Sequence, residues 1–111
     1  NHIAEAGSIT RAVEAIRAAE PEIFIEVECD NLDQVREAID AGVELVLLDN
    51  MSPDEMRETV AITKPAGVKT EANGGLTIDD AEAVGAVGVD YVAVGALTHS
   101  AKVLDLGLDI S

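Results

Sequence analysis

Apolar positions along this chain fall into two alternating patterns. Four short runs rich in Val, Ile and Leu read as strands: Ile23–Cys29, Glu44–Asp49, Val68–Ala72 and Asp90–Gly95. Their starts lie 21, 24 and 22 residues apart, about one strand-plus-helix unit each. The segments between them carry apolar residues at helical spacing and have readable ends. Ile9, Ala12, Val13 and Ile16 form an i, i+3, i+4, i+7 stripe behind Ser8, a candidate N-cap. Asn31 caps the next expected helix, with Gln34 in the capping-box position and Gly42 just past the end. Ser52, Pro53 and Glu55 supply the cap, the first-turn proline and the third-position acid of another. Thr77 with Asp80 repeats the pattern, and Gly88 ends that helix.

Strand, short loop, helix and strand in succession force parallel pairing and right-handed crossovers, so the expected class is α/β. Two architectures remain open, a doubly wound sheet and a (βα)8 barrel. A complete barrel takes roughly 200–250 residues, so four consecutive βα units are about half of one. The chain opens on Asn1 and a polar turn. An open half-barrel also leaves two unpaired parallel edges, which favour self-association. The expectation is a single, incomplete domain over residues 1–111 with further sequence before it.

Composition sharpens this picture. The apolar fraction is 48%, yet Phe24 and Tyr91 are the only aromatics, so the core must be Val, Ile, Leu and Ala, as in helix-covered parallel sheets. Twenty-two acidic residues against seven basic ones give a net charge of −15, which argues against nucleic acid and anionic membranes as partners. Much of the excess falls where helix exteriors are expected, at Glu55, Glu58, Asp79, Asp80 and Glu82. A soluble acidic surface explains it, and adaptation to high salt is the sharper alternative. Cys29 is the only cysteine, which excludes an internal disulfide and a cysteine-based metal cluster. With no leader-like segment and no long apolar run, a reducing cytoplasmic compartment is expected.

In parallel α/β folds, ligands bind beyond the C-terminal ends of the strands. Those ends carry Glu28, Asp49, Glu71 and Gly95. Three carboxylates at one mouth repel one another unless a cation or a polyhydroxyl ligand sits among them. They suit Mg²⁺ together with substrate phosphate oxygens, or the hydroxyls of a sugar. The plainer alternative is that each caps the following helix; recurrence on adjacent strands favours a site. Alternation puts Phe24, Glu26 and Glu28 on one face and Ile25 and Val27 on the other. Glu26 is therefore expected inside the barrel, with Lys69 as its partner. Asn73-Gly74-Gly75 follows the third strand and Gly95-Ala96-Leu97 the fourth. Glycines there let backbone N–H groups approach a phosphate at a helix N-terminus, as (βα)8 barrels do after their last two strands. His99 is placed to donate to that phosphate or to move a proton, with a plain surface histidine an equal alternative. His2 lacks enough context to judge.

With these residues assembled, the chain resembles quinolinate phosphoribosyltransferases. The resemblance is carried by Asn1-His2-Ile3-Ala4, Ile25-Glu26-Val27-Glu28, Leu47-Leu48-Asp49-Asn50-Met51-Ser52-Pro53, Gly74-Gly75, Gly88-Val89-Asp90-Tyr91 and Val94-Gly95-Ala96-Leu97-Thr98-His99-Ser100. It runs the whole length in order and closes on Leu104-Asp105-Leu106-Gly107-Leu108-Asp109-Ile110. It implies that residues 1–111 are the C-terminal half of the family's α/β barrel. It also implies a reaction, in which quinolinate and phosphoribosyl pyrophosphate give nicotinate mononucleotide, pyrophosphate and CO2 with Mg²⁺. Glu28 and Asp49 match the acidic pair at the ribose hydroxyls and metal, acting through Mg²⁺ and substrate. Gly74, Gly75 and Gly95 match the glycines at the 5′-phosphate, and Glu71 and His99 line the same site. A homo-oligomer, dimer or larger, is implied, with a neighbouring subunit contributing to each site. Two departures stand out. Asn73 replaces the family's usual Ser, and the basic and histidine residues that grip the quinolinate carboxylates are not in this stretch. A pyrophosphorylase-like barrel of molybdate transport operons and a non-catalytic phosphate-binding half-barrel are the alternatives.

Overall fold

The structure, a computed structural model, describes residues 7–76, 78–94 and 97–100, with the backbone alone for 74–76, 78–79, 94 and 97–100. Its elements are α1 (Ser8–Ala19), β1 (Glu26–Cys29), α2 (Leu32–Ala41), β2 (Leu45–Leu48), α3 (Pro53–Ala66), β3 (Lys69–Leu76), α4 (Ile78–Val87), β4 (Tyr91–Val94) and β5 (Leu97–Ser100). The four expected strands and four expected helices are all present. Strands β1 to β4 pair in parallel, in chain order, within one sheet.

That order decides between the two architectures. A doubly wound sheet reverses its strand order at a switch point and carries helices on both faces. Here every crossover runs the same way, so right-handed connections place all helices on one face. The helices pack side by side in sequence, α1 on α2, α2 on α3, and α3 on α4. This is the layering of a (βα)8 barrel segment. The core lies between sheet and helices and includes Ile25, Val27, Cys29, Val46, Leu48, Ala72 and Val92 from the strands, with Ile9, Val13, Val35, Ala38, Met56, Val60, Ala81 and Val84 from the helices. Among the described residues, no helix is long and apolar enough to cross a membrane.

Local chemistry sets the helix ends, not always as the sequence suggests. Ser8 does not cap α1: it is the first helical residue, and Gly7 holds the N-cap position at a left-handed φ of 85°. The side chain of Glu37 on α2 does that work instead, accepting from the N–H groups of Gly7 (3.1 Å) and Thr10 (3.0 Å) and from the Thr10 hydroxyl (3.0 Å). These donors, the Thr10 N–H foremost, lower the Glu37 carboxyl below its usual range. The caps expected for α2 and α3 are present. Asn31 accepts from Gln34 N–H (2.9 Å), and Gly42 ends α2 in the left-handed conformation. Ser52 and Glu55 form a reciprocal capping box with Pro53 in the first turn. Thr77, the cap expected for α4, lies outside the described residues. Gly88 closes α4 at φ 109°, where an added Cβ would come within 3.3 Å of Val60 Cγ1.

Two strand readings need correction. β3 does not stop at Ala72 but runs to Leu76, so Asn73, Gly74 and Gly75 lie in the strand, where its register to β4 shifts between Ala72 and Leu76. Glycine inside a strand marks such an irregularity as readily as a loop. The segment after β4 is not only a glycine loop, because Leu97 opens β5, which pairs antiparallel with β4. Two short runs separated by two residues that begin with Gly carry the spacing of a hairpin.

The acidic surface falls as expected, with Glu55, Glu58, Asp80 and Glu82 exposed on α3 and α4. The side chain of Asp79 lies outside the described residues.

Candidate functional site

Because the helices cover one face of the sheet, the other face is left for polar chemistry. Along β1 and the residue before it, Ile25, Val27 and Cys29 are buried under the helices, while Glu26 is exposed and Glu28 half-buried on the opposite face. The registers Glu26↔Leu45↔Lys69 and Glu28↔Leu47↔Glu71↔Tyr91 set out rows across that face. Glu28, Glu71 and Asn73 are all half-buried on it, towards the C-terminal ends of the strands.

The expected pair Glu28 and Asp49 does meet. Asp49 follows β2 directly, and its N–H donates to the Cys29 carbonyl (3.1 Å), which extends the β1–β2 pairing one step past the strand ends. Asp30, one residue past Cys29, thus lies opposite Asp49. Glu28, Asp30 and Asp49 each bring one carboxylate oxygen within 4.8 Å of the others, and all three are half-buried. The Asp30 Oδ1 is itself buried and accepts no hydrogen bond. Its backbone is held, since Asp30 N–H donates to Gln34 Oε1 (2.6 Å). Asp30 was not singled out from the sequence. The signal that could have found it is period two: on one strand, positions 28 and 30 share a face.

Glu71 stands in the same row as Glu28, with Leu47 between them. Burial, with the negative charge of Glu26 as a smaller contribution, pushes its carboxyl above the usual carboxylate range. Glu71 therefore holds its proton more readily than an ordinary glutamate. The expected Glu26–Lys69 ion pair does not form among the described residues, where the ion pairs are Arg17–Glu44, Arg36–Asp33 and Arg57–Asp54. Leu45 separates the two residues in the register, and two strand spacings put them about 9–10 Å apart. Lys69 and Glu26 are both exposed, so neither needs the other.

The phosphate-binding readings divide. Gly74 and Gly75 sit at the C-terminal part of β3, beside the carboxylate end of the sheet. Gly95 lies outside the described residues, as does His2. His99 is placed on β5 opposite Val92, and its side chain lies outside what is described. Asn50, directly after Asp49, takes a left-handed φ of 55°. That turn sends Met51 into the core and Ser52 to the cap of α3 while Asp49 stays at the mouth. Beneath the acidic cluster, the Cys29 thiol is pushed up to about 12, chiefly by burial and further by Asp30 and Glu28, so it remains a neutral core group.

Comparison with known proteins bears on what this mouth is for. The family model described as quinolinate phosphoribosyl transferase, C-terminal domain, matches residues 1–109. A probable carboxylating nicotinate-nucleotide pyrophosphorylase from Bacillus subtilis is 45% identical over 112 residues, covering 100% of this chain and 38% of the relative. Its counterpart from Mycobacterium leprae is 44% identical, covering 99% of this chain and 39% of the relative. The nicotinate-nucleotide pyrophosphorylase structure from Ehrlichia chaffeensis superposes with a TM-score of 0.76 at 37% identity, over 85% of this chain and 34% of that one. The chain thus spans about two fifths of the length of the curated relatives it matches.

Proposed function

Because the chain belongs to the quinolinate phosphoribosyl transferase C-terminal domain family, we propose that it carries the sugar-phosphate side of a quinolinate phosphoribosyltransferase active site. The observation that carries this reading is the meeting of Glu28 and Asp49 at the C-terminal ends of adjacent parallel strands, the place where barrels of this kind bind substrate.

In the proposed reaction, the ring nitrogen of quinolinate bonds to the ribose C1 of phosphoribosyl pyrophosphate as the C1–O bond to pyrophosphate breaks. The carboxylate beside that nitrogen then leaves as CO2, and the electron pair left on the ring carbon takes up a proton. C1 becomes cationic in the first step, so fixed carboxylates close to it stabilise the transition state more than the ground state. Glu28 and Asp49 fill that role, and their remaining lone pairs accept from the ribose hydroxyls. Glu71, in the same row as Glu28, lines the site beside the sugar phosphate. Asn73 offers its amide N–H to the 5′-phosphate, with backbone N–H groups of Gly74, Gly75 and Gly95 around it and His99 as a further donor.

The residues present fit Mg²⁺. The cluster is made of hard carboxylate oxygens, no basic side chain among the described residues pairs with them, and Asp30 Oδ1 is buried without a donor. Glu28 and Asp49 would hold the ion together with substrate oxygens, and the ion would supply charge neutralisation for the departing pyrophosphate. The groups that grip the two acid functions of quinolinate belong, in this reading, to the part of the enzyme beyond these 111 residues. The same reading makes the enzyme cytoplasmic and homo-oligomeric.

Isothermal titration with phosphoribosyl pyrophosphate, with and without Mg²⁺ and in low and molar salt, tests the proposal. Metal-dependent binding that weakens at least tenfold in Asp49→Asn is the expected result. Binding that is the same in the variant, or that ignores Mg²⁺, would remove the carboxylate mouth from the mechanism.

A further inference from the structure

We propose that Asp90 is a positioning residue for the phosphate segment: its clamp on Thr70 selects the strand register in which Asn73, Gly74 and Gly75 lie in a bulge of β3. The inference rests on the phosphoribosyl transfer reading and deepens it, because it identifies what holds that segment in place.

Asp90 directly precedes β4 and lies opposite Thr70, in the register that continues as Glu71↔Tyr91 and Ala72↔Val92. Its Oδ2 accepts from the Thr70 N–H (2.9 Å) and from the Thr70 hydroxyl (3.3 Å). Its own N–H donates back to the Thr70 carbonyl (3.1 Å) and hydroxyl oxygen (3.2 Å). Thr70 is only 1% exposed, so an N–H left unpaired there would be costly. Because β4 begins at Tyr91, the carboxylate supplies an acceptor that the strand itself does not yet offer. The same device stands at β1 and β2, where Glu44, directly before β2, accepts from the Ile25 N–H (2.7 Å).

Just above this clamp the register changes. Ala72 pairs with Val92 and Leu76 with Val94, so four steps along β3 match two along β4, and the surplus falls within residues 73–75. A one-residue slip would turn every side chain to the wrong face, but a two-residue slip keeps each on its own face, and Gly-rich strands hold their register weakly. Sliding β4 by two residues against the lower part of β3 would extend the Leu76↔Val94 register down the pair, put Gly74 opposite Val92 and absorb the bulge. Asp90 would then leave Thr70 and face Ala72, which is fully buried on the helix side. Apolar patterning is blind to this alternative. The hydrogen bonds between Asp90 and Thr70, and the cost of burying the carboxylate without them, oppose it. A specific polar contact therefore keeps the bulged register, and with it the place of the Asn73 amide and the glycine N–H groups.

The test joins a register readout that needs no ligand to a titration of the intact protein with ribose 5-phosphate. Nuclear Overhauser contacts between backbone protons should place Ala72 beside Val92 in the unaltered protein and add contacts of Gly74 with Val92 in Asp90→Ala. Ribose 5-phosphate affinity should fall about tenfold in Asp90→Ala and stay within about threefold in Asp90→Asn, which keeps an acceptor for the Thr70 N–H. Val35→Ala, a core truncation on α2, should lower stability without moving the affinity, which separates positioning from mere destabilisation. On the unaltered protein, where no variant needs to fold, the Thr70 amide should exchange with solvent as slowly as those of β2. Fast exchange there, an unchanged register in Asp90→Ala, or an equal loss of affinity in Val35→Ala overturns the proposal. A slipped register with unaltered affinity overturns the role at the phosphate. Absence of ribose 5-phosphate binding by the unaltered protein sinks the phosphoribosyl transfer reading, and the register comparison alone then decides on the clamp.

Discussion

Glu44 offers the most tightly specified prediction, because it joins stability, pH and the register of the site. The Arg17 guanidinium donates to the carbonyls of Pro21 (3.2 Å), Ile23 (2.7 Å) and Gly42 (3.0 Å) and to both Glu44 oxygens (2.8 and 2.7 Å). Glu44 in turn accepts from the Ile25 N–H (2.7 Å). This clamp ties the end of α1 and the start of β1 to the start of β2. It helps to hold the Glu26↔Leu45 pairing, from which a one-residue slip would turn Glu28 away from Asp49 and under the helices. A hydrogen bond to a charged group contributes about 1.5–3 kcal/mol when well buried. With side-chain exposures of 25% and 37%, screening reduces the expected loss in Glu44→Gln to about 1 kcal/mol.

The Glu44 carboxyl is held below its usual range, first by the Ile25 N–H and then by Arg17. A depressed carboxyl stabilises the fold above its unfolded pKa of about 4.3, and that contribution fades as pH falls through the lower folded value. Urea unfolding of wild type and Glu44→Gln should therefore differ by about 1 kcal/mol from pH 7 down to about pH 5, and the difference should close in more acidic buffer. A difference that is absent at pH 7, or that persists unchanged at pH 3, would refute the role assigned to the charge.

Two further outcomes follow from single residues. Cys29 is fully buried with its thiol held neutral, so a thiol reagent at pH 8 should label it only as the protein unfolds; rapid native labelling would contradict the packing. At Asn50, with φ 55°, Asn50→Gly should leave stability within about 0.5 kcal/mol, while the β-branched Asn50→Val should cost roughly 1–2 kcal/mol by urea unfolding. Equal stability of the two variants would show that the left-handed turn after Asp49 is not needed.

Much of this protein is legible in the sequence alone. The period of the apolar runs identifies four βα units, because burial on a helix-covered sheet imposes near-continuous Val, Ile and Leu at strands and a 3.6-residue stripe on helices. Local capping chemistry is equally readable where donor and acceptor are three residues apart, as at Ser52–Glu55 and Asn31–Gln34. Glu28 and Asp49 could be placed at one mouth because each lies within one residue of the end of its strand, and parallel pairing aligns those ends.

What the sequence could not decide depends on partners distant in the chain. Gly7 rather than Ser8 caps α1, because Glu37, 27 and 30 residues from its partners, reaches across from α2. Glu26 and Lys69 look complementary in sequence, yet Leu45 stands between them once the strands are in register. The glycines at 74 and 75 read as a loop, but pairing with β4 carries them into β3. Asp30 has no local signature beyond its spacing from Glu28, and only the approach of β2 brings Asp49 beside it. Periodicity and capping are encoded within a few residues, whereas register, cross-helix caps and carboxylate clusters exist only after elements far apart in sequence have packed.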